Sequence, residues 1–232
     1  MNTAQDYKKL LSKELLSKLS HHSRSPFNGL LGFSELLLIN QHKLDQEDAT
    51  EYILRVNMLA KRAFLFSENV IFLMKILSEN VSPVLTNVLL KGAIDYATNI
   101  CKEEIILKKI LFTKEINSSS AINADPLLLN SIFANLLSKA VKLADDESPI
   151  TITESKEKNV SSIAITYKGM HIENETVLDF FSRKNNSSDE LFAPENDIEL
   201  WITFQLVKIQ DLTLTISTLK DKSTRFKIES KN

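Results

Sequence analysis

The stretch "LSKLSHHSRSPFNGLLGFSELL", residues 16–37, carries the periodicity that decides the N-terminal fold. Steps of alternately three and four residues reach mostly apolar positions, namely Leu16, Leu19, Ser23, Pro26, Leu30, Phe33 and Leu37. After a polar break at residues 40–49, the spacing resumes on Val56, Leu59, Ala63, Phe66, Val70, Leu73 and Leu77. This pattern predicts an antiparallel helical hairpin. Since two helices cannot enclose a core, we expect the hairpin to form a four-helix bundle with a second copy, as a homodimer.

Two adjacent histidines interrupt the first apolar run. In this heptad register His21 falls at position f, opposite the buried seam, and His22 falls at g, on the flank. His21 is therefore predicted to be exposed, with a ring nitrogen available as a nucleophile. Pro26 lies five residues later and is expected to bend the helix, because it lacks a backbone N–H donor. From the residues alone, a reactive imidazole and an ordinary surface pair both stay open.

Composition excludes several classes of function. The 232 residues include 43% hydrophobic and 25% charged residues, as in an ordinary soluble protein, and the net charge is −2. That balance gives no basic surface for nucleic acid. Cys101 is the single cysteine, which excludes an internal disulfide and a cysteine-based zinc site. No apolar stretch approaches the roughly 20 residues of a membrane span, and no signal-like run follows Met1, so we expect a cytoplasmic protein.

The second half of the chain has a mixed pattern. "SENVSP", residues 78–83, reads as a linker, so the predicted domains are 1–79 and 84–232. Residues 125–144 predict an amphipathic helix with Asp125 as N-cap and Pro126 in the first turn. "PITITES" and "VSSIAITY" alternate as half-buried strands do, and the C-terminal segments predict a helix followed by a β-hairpin. We therefore predict a two-layer α/β sandwich after the helical hairpin.

The histidine segment resembles the H-box of the sensor histidine kinases of two-component signalling, S-H-E-L-R-T-P-L-N-x-I-x-G-F-x-E-L-L. Ten positions of "SHHSRSPFNGLLGFSELL" fall in register without a gap: Ser20, His21, Arg24, Pro26, Asn28, Gly32, Phe33, Glu35, Leu36 and Leu37. The resemblance implies a dimerisation and histidine-phosphotransfer hairpin with His21 as phosphoacceptor.

The resemblance continues to the end of the chain. "DPLLLNSIFANLLSKAVKLA" is similar to the kinase N-box helix, D-P-x-x-L-x-x-V-L-x-N-L-L-x-N-A-I-K-F. "IAITYKGMHI" takes the place of the strand that enters D-T-G-I-G-I, and "DIELWIT" that of G-L-G-L-A-I-V. This implies the ATP-binding sandwich that histidine kinases share with gyrase and the Hsp90 chaperones.

The departures from the family fall on the nucleotide chemistry. The affected positions are Lys139, Tyr167, Gly169, His171, Asp197 and Glu199. Lys139 replaces the magnesium-holding asparagine, and an ammonium has no lone pair for a metal. Tyr167 replaces the adenine-binding aspartate; Gly169 survives, whereas His171 replaces its partner glycine. Asp197 and Glu199 replace glycines of the phosphate loop, where like charges 4 Å apart cost about 4 kcal/mol at an effective dielectric of 20. We expect no ATP and no metal in this chain.

The leading hypothesis is a histidine phosphotransferase of a phosphorelay. A receiver domain would dock on Arg24, Pro26, Phe27 and Leu30 and would transfer its aspartyl phosphate to His21, with Mg²⁺ supplied by the receiver's own pocket. His22, in place of the family's acid, and Arg24 are weaker candidates for a supporting role. Ser25, four residues after His21, could orient water, although serine is also a common filler. One alternative is a non-catalytic pseudokinase that binds a regulator or a partner kinase; another is an active kinase that binds ATP in an unusual pose.

Overall fold

A computed structural model describes residues 13–40, 42–78, 82–157, 160–172 and 198–231. Two long helices, α1 (Lys13–Asn40) and α2 (Gln46–Leu77), precede the α/β domain. The α/β domain follows the order β1 (Thr86–Leu89), α3 (Leu90–Leu107), β2 (Leu111–Glu115), β3 (Ala121–Ala124), α4 (Pro126–Leu143), β4 (Pro149–Glu157), β5 (Val160–Tyr167), α5 (Ile198–Lys208), β6 (Thr213–Thr218) and β7 (Thr224–Lys231). None of these described helices has a stretch long and apolar enough to cross a bilayer.

The two long helices pack against each other as the predicted hairpin. The seam residues of α1 from Leu19 to Leu37 are half-buried, and Ala63 and Phe66 of α2 are buried. Near the loop, the Phe33 ring lies 5.8 Å from the Tyr52 ring, centroid to centroid, and Arg55 lies over the Phe33 ring at 5.5 Å. Helix α1 continues through Pro26 without a break.

The α/β domain has a five-stranded sheet in the order β2-β4-β5-β7-β6. Strands β2 and β4 are parallel, and the other neighbours are antiparallel. Helices α3, α4 and α5 form one layer, which packs on one face of the sheet. The apolar side chains between these helices and the sheet form the core. This is the predicted two-layer sandwich of helices on a mixed sheet.

Helix α4 is fixed at both ends by hydrogen bonds. The Asp125 Oδ1 atom accepts from the N–H groups of Leu127 (2.9 Å) and Leu128 (3.2 Å), as the N-cap prediction requires. At the C-terminal end, the Lys108 ammonium donates to the carbonyl oxygens of Val141 and Ala144. These carbonyl groups have no partner within the helix, so the lysine satisfies acceptors that would otherwise need water.

The sequence pattern missed a small second sheet. Strands β1 and β3 pair antiparallel from Thr86 opposite Ala124 to Leu89 opposite Ala121. Residues 87–104 have the apolar spacing of a helix, yet the first three of them belong to β1. A four-residue strand is too short to show an alternating pattern, so its formation depends on its distant partner.

Candidate functional site

His21 lies on an exposed face of α1. Its side chain is exposed, and so are Asn28 and Glu35, which share heptad position f with it. The exposed Arg24 and Ser25 follow three and four residues after His21, so they lie on the same side of the helix. Leu19, two residues before His21, is partly buried against the core. The phosphoacceptor candidate His21 therefore lies on the exposed side of α1, and the opposite side of the helix packs against the rest of the protein.

The predicted docking residues divide into two groups. Arg24 is exposed and Phe27 is 53% exposed, so both can contact another protein. Pro26 and Leu30 are half-buried on the seam side of α1. The backbone of His22 belongs to α1, but its side chain lies outside the described residues.

Tyr167, which the resemblance matches to the adenine-binding aspartate, is a buried aromatic ring. Tyr167, at the end of β5, is 1% exposed, and its ring lies 5.6 Å from that of Phe226, centroid to centroid. Its hydroxyl donates to the carbonyl oxygen of Met170 at 3.2 Å. Lys139, at the position of the magnesium-holding asparagine, is half-buried in α4.

Gly169 is required by the path of the backbone. It bridges to Ala144 just after α4 and has φ +155°. A Cβ atom here would lie 2.2 Å from the Leu143 carbonyl oxygen and 2.7 Å from the Asp145 nitrogen. The adjacent hydrogen bond from Met170 N to Leu143 O, 2.9 Å, fixes this close approach. The surviving glycine thus joins the loop after β5 to the end of α4, whatever the loop binds.

The remaining nucleotide positions are only partly described. Asp197 lies outside the described residues. His171 is exposed, and its Nδ1 atom lies 3.1 Å from the Thr224 hydroxyl. Glu199 is half-buried in the first turn of α5. Trp201 is buried among core residues, and its indole Nε1 has no acceptor among the described atoms.

Sequence reasoning missed a polar cluster between the hairpin and the sandwich. Asn69 of α2 and Asn135 of α4 exchange two side-chain hydrogen bonds of 2.7 Å and 3.1 Å. About two turns earlier on α2, Lys61 pairs with Glu103 and Arg62 with Glu104. A signal was present, because two adjacent cations and two adjacent anions occur on segments of predicted helix. In the described ranges, no three His, Cys, Asp or Glu side chains come together as a metal site requires.

Comparison with known proteins gives the class. No protein-family model matches the sequence. Over 138 residues, or 56% of this chain, it is 33% identical to the aerobic respiration control sensor protein ArcB homolog of Haemophilus influenzae. The match spans 40% of the length of that relative. The sequence relatives and the structural neighbours are histidine kinases, and the order of this chain, two long helices followed by an α/β sandwich, is the fold of those structures.

Two solved structures define the likeness of fold more closely. The histidine kinase ThkA, in a crystal structure with the response regulator protein TrrA, superposes with a TM-score of 0.59 at 18% identity, over 94% of this chain and 61% of that one. The Acinetobacter baumannii histidine kinase AdeS superposes with a TM-score of 0.57 at 14% identity, over 91% of this chain and 97% of that one. Both helices of the hairpin and the sandwich therefore have counterparts in solved kinases.

Proposed function

We propose that this chain is a histidine phosphotransferase of a two-component phosphorelay, which accepts a phosphoryl group from a response regulator and does not bind ATP. The observation that carries the proposal is an exposed His21 within an H-box-like helix, beside a sandwich whose adenine position is filled by Tyr167. The kinase relatives support a role in two-component signalling. The solved complex of a related fold with a response regulator supports that class of partner.

The residues at the nucleotide positions do not fit a magnesium nucleotide. Tyr167 is buried against Phe226, and its hydroxyl is engaged with a backbone carbonyl of the same loop. An adenine ring in that place would have to displace a packed side chain from the core. Lys139 cannot ligate Mg²⁺, and its charge repels the ion. Trp201, where the resembling motif has alanine, adds bulk to the helix after the phosphate loop.

The proposed reaction is a direct phosphoryl transfer. A ring nitrogen of His21 attacks the phosphorus of the regulator's aspartyl phosphate, in line with the bond to the carboxylate oxygen. That P–O bond breaks, the aspartate leaves as a carboxylate, and the phosphoimidazolium gives its remaining N–H proton to solvent. An acyl phosphate is already an activated donor, so a base beside His21 is not needed. Arg24 and Phe27 are the exposed candidates for docking the regulator near the ring.

We also propose that the active form is a homodimer. Both helices carry exposed apolar side chains on the flank formed by heptad positions b and e: Leu31 and Leu38 of α1, and Ile53, Phe64, Ile71 and Met74 of α2. In an antiparallel pair, the e sides of the two helices lie on the same side of the seam. The hairpin therefore presents one continuous apolar face, and a second copy of the same face would complete a four-helix bundle.

The test is transfer from a phosphorylated receiver domain. Incubation with a radiolabelled receiver should label the wild-type chain with acid-labile phosphate. His21→Ala should lose the label, whereas His42→Ala, which removes an exposed histidine in the loop between α1 and α2, should keep it. Calorimetric titration with ATP and Mg²⁺ should give no binding heat. Equal labelling of His21→Ala would refute the role of His21. A tight but unlabelled complex with the receiver would instead favour a non-catalytic binding protein.

A further inference from the structure

The boundary between the hairpin and the sandwich is packed like the interior of one domain. Leu65 and Phe66 of α2 are 5% and 7% exposed and belong to the same apolar cluster as the core residues of α3 and α4. Asn69, one turn further, is 1% exposed. Surfaces between domains that move relative to each other are usually more polar and hydrated. The side of α2 that faces the sandwich is instead apolar and buried at its centre.

The polar groups at this boundary are paired with each other across it. The Asn69 and Asn135 amides each donate one hydrogen bond to the other, so one N–H group and the carbonyl oxygen of each are engaged. The Lys61 ammonium donates to both carboxylate oxygens of Glu103, at 2.8 Å and 2.9 Å, and to the Asn99 carbonyl oxygen at 2.7 Å. Asn57 adds a hydrogen bond of 2.8 Å to Glu103. Buried polar groups with matched partners favour one specific arrangement over others.

The pairs follow one stripe along α2. Lys61 and Arg62, then Leu65 and Phe66, then Asn69 occupy successive turns of the helix. Ion pairs thus lie at one end of the apolar contact, and the amide pair lies at the other. Sliding or swinging the sandwich would separate charges, uncover apolar surface and leave two buried amides unpaired at the same time.

We propose that this stripe, in which Asn69 meets Asn135 and Lys61 meets Glu103, is a domain lock that holds the sandwich in one fixed position on the hairpin. The hairpin and the sandwich then form a single rigid body around the helix that carries His21. A partner protein that reaches His21 meets a surface of fixed shape. The inference goes beyond phosphotransfer, because the lock can fail while His21 still accepts phosphate.

The experiment measures a distance across the boundary by pulsed electron spin resonance. Spin labels are attached at Asp48→Cys, on the exposed start of α2, and at Lys91→Cys, on the exposed start of α3, in a Cys101→Ala background. Dilution with unlabelled chain removes distances between copies. The wild-type lock should give one narrow distance distribution, with and without ATP and Mg²⁺. A broad or multiple distribution in this protein would overturn the proposal.

A charge reversal gives the matched comparison. Lys61→Glu places a third carboxylate beside Glu103 and Glu104, so the distribution should broaden toward longer distances. Adding Glu103→Lys restores an opposite pair and should return the narrow peak. If Lys61→Glu unfolds the protein, the wild-type distribution still decides between lock and hinge. A Lys61→Glu variant that folds and keeps the narrow peak counts against the stripe. A broad distribution in the wild-type chain, with labelling of His21 intact, would refute the lock alone.

Discussion

The amide pair between α2 and α4 predicts a measurable thermodynamic coupling. Replacing Asn69 by leucine keeps the approximate side-chain volume but removes both hydrogen bonds to Asn135. Asn135 is 4% exposed, so water cannot readily replace the lost partner. A buried amide left without partners costs about 1–3 kcal/mol. In a chain of this size, about 2 kcal/mol corresponds to a fall in melting temperature of about 4–8 °C.

The assay is thermal unfolding of four proteins at one concentration: wild type, Asn69→Leu, Asn135→Leu and the double variant. Each single variant should lose about 2 kcal/mol. The double variant removes both polar groups together, so it should be more stable than the sum of the single effects predicts, with a coupling of about 1–2 kcal/mol. Ser67→Ala, an exposed change on the same helix, is the control and should leave the melting temperature nearly unchanged.

Additive losses of stability in the single and double variants would refute the coupling between Asn69 and Asn135. If the double variant loses the sum of the two single losses, the amides do not interact as the 2.7 Å and 3.1 Å distances require. It is equally refuted if Asn69→Leu melts with the wild type, because a buried unpaired amide cannot be free of cost.

Three further predictions concern the glycine, the apolar face and the thiol. Gly169→Ala should lower the melting temperature by several degrees, because its Cβ would lie 2.2 Å from a carbonyl oxygen. The control is Gly92→Ala, whose Cβ would have no atom within 4 Å and which should be neutral or mildly stabilising. Equal effects of the two substitutions would contradict the close approach at Gly169. Phe64→Lys with Ile71→Lys should halve the mass measured by light scattering, and a wild-type chain that is already monomeric would refute the homodimer. Burial raises the pKa of the Cys101 thiol, so the folded protein at pH 8 should react with a thiol reagent far more slowly than the unfolded chain; rapid labelling of the folded protein would contradict that burial.

The hairpin could be predicted from the sequence because its determinants are local. Heptad spacing alone placed His21 opposite the seam, and its side chain is exposed. The same register assigned Asn69 to a flank, where a polar residue would ordinarily meet solvent. It is 1% exposed, since α4 covers it from 66 positions further along the chain. Periodicity describes one helix at a time, so a face that is buried by a distant element escapes it.

The candidate site likewise has features that depend on local sequence and features that depend on distant parts of the chain. Gly169 could be matched to a nucleotide-binding motif from the sequence, but its role in the path of the backbone could not be predicted. Its backbone lies against the end of α4, and a side chain would collide with main-chain atoms that cannot move aside. The burial of Tyr167 against Phe226 was likewise beyond sequence, because the two residues meet only through the pairing of β5 with β7. Long-range strand pairing determines which side chains pack at this end of the sheet.

The distribution of residues around α2 explains how one helix can carry both the apolar face for a second copy and the domain lock for the sandwich. At 100° per residue, the five residues from Phe64 to Asn69 turn the helix by 500°, which leaves them about 140° apart around its axis. Asn69 therefore lies well away from the apolar face, whereas Lys61, three residues before Phe64, lies about 60° from it, and α1 occupies a third side of the helix. A helix that is apolar nearly all round is stable only when each side is covered. A variant made monomeric through Phe64 should consequently keep the narrow distance distribution across the lock, whereas a Lys61→Glu variant should remain dimeric.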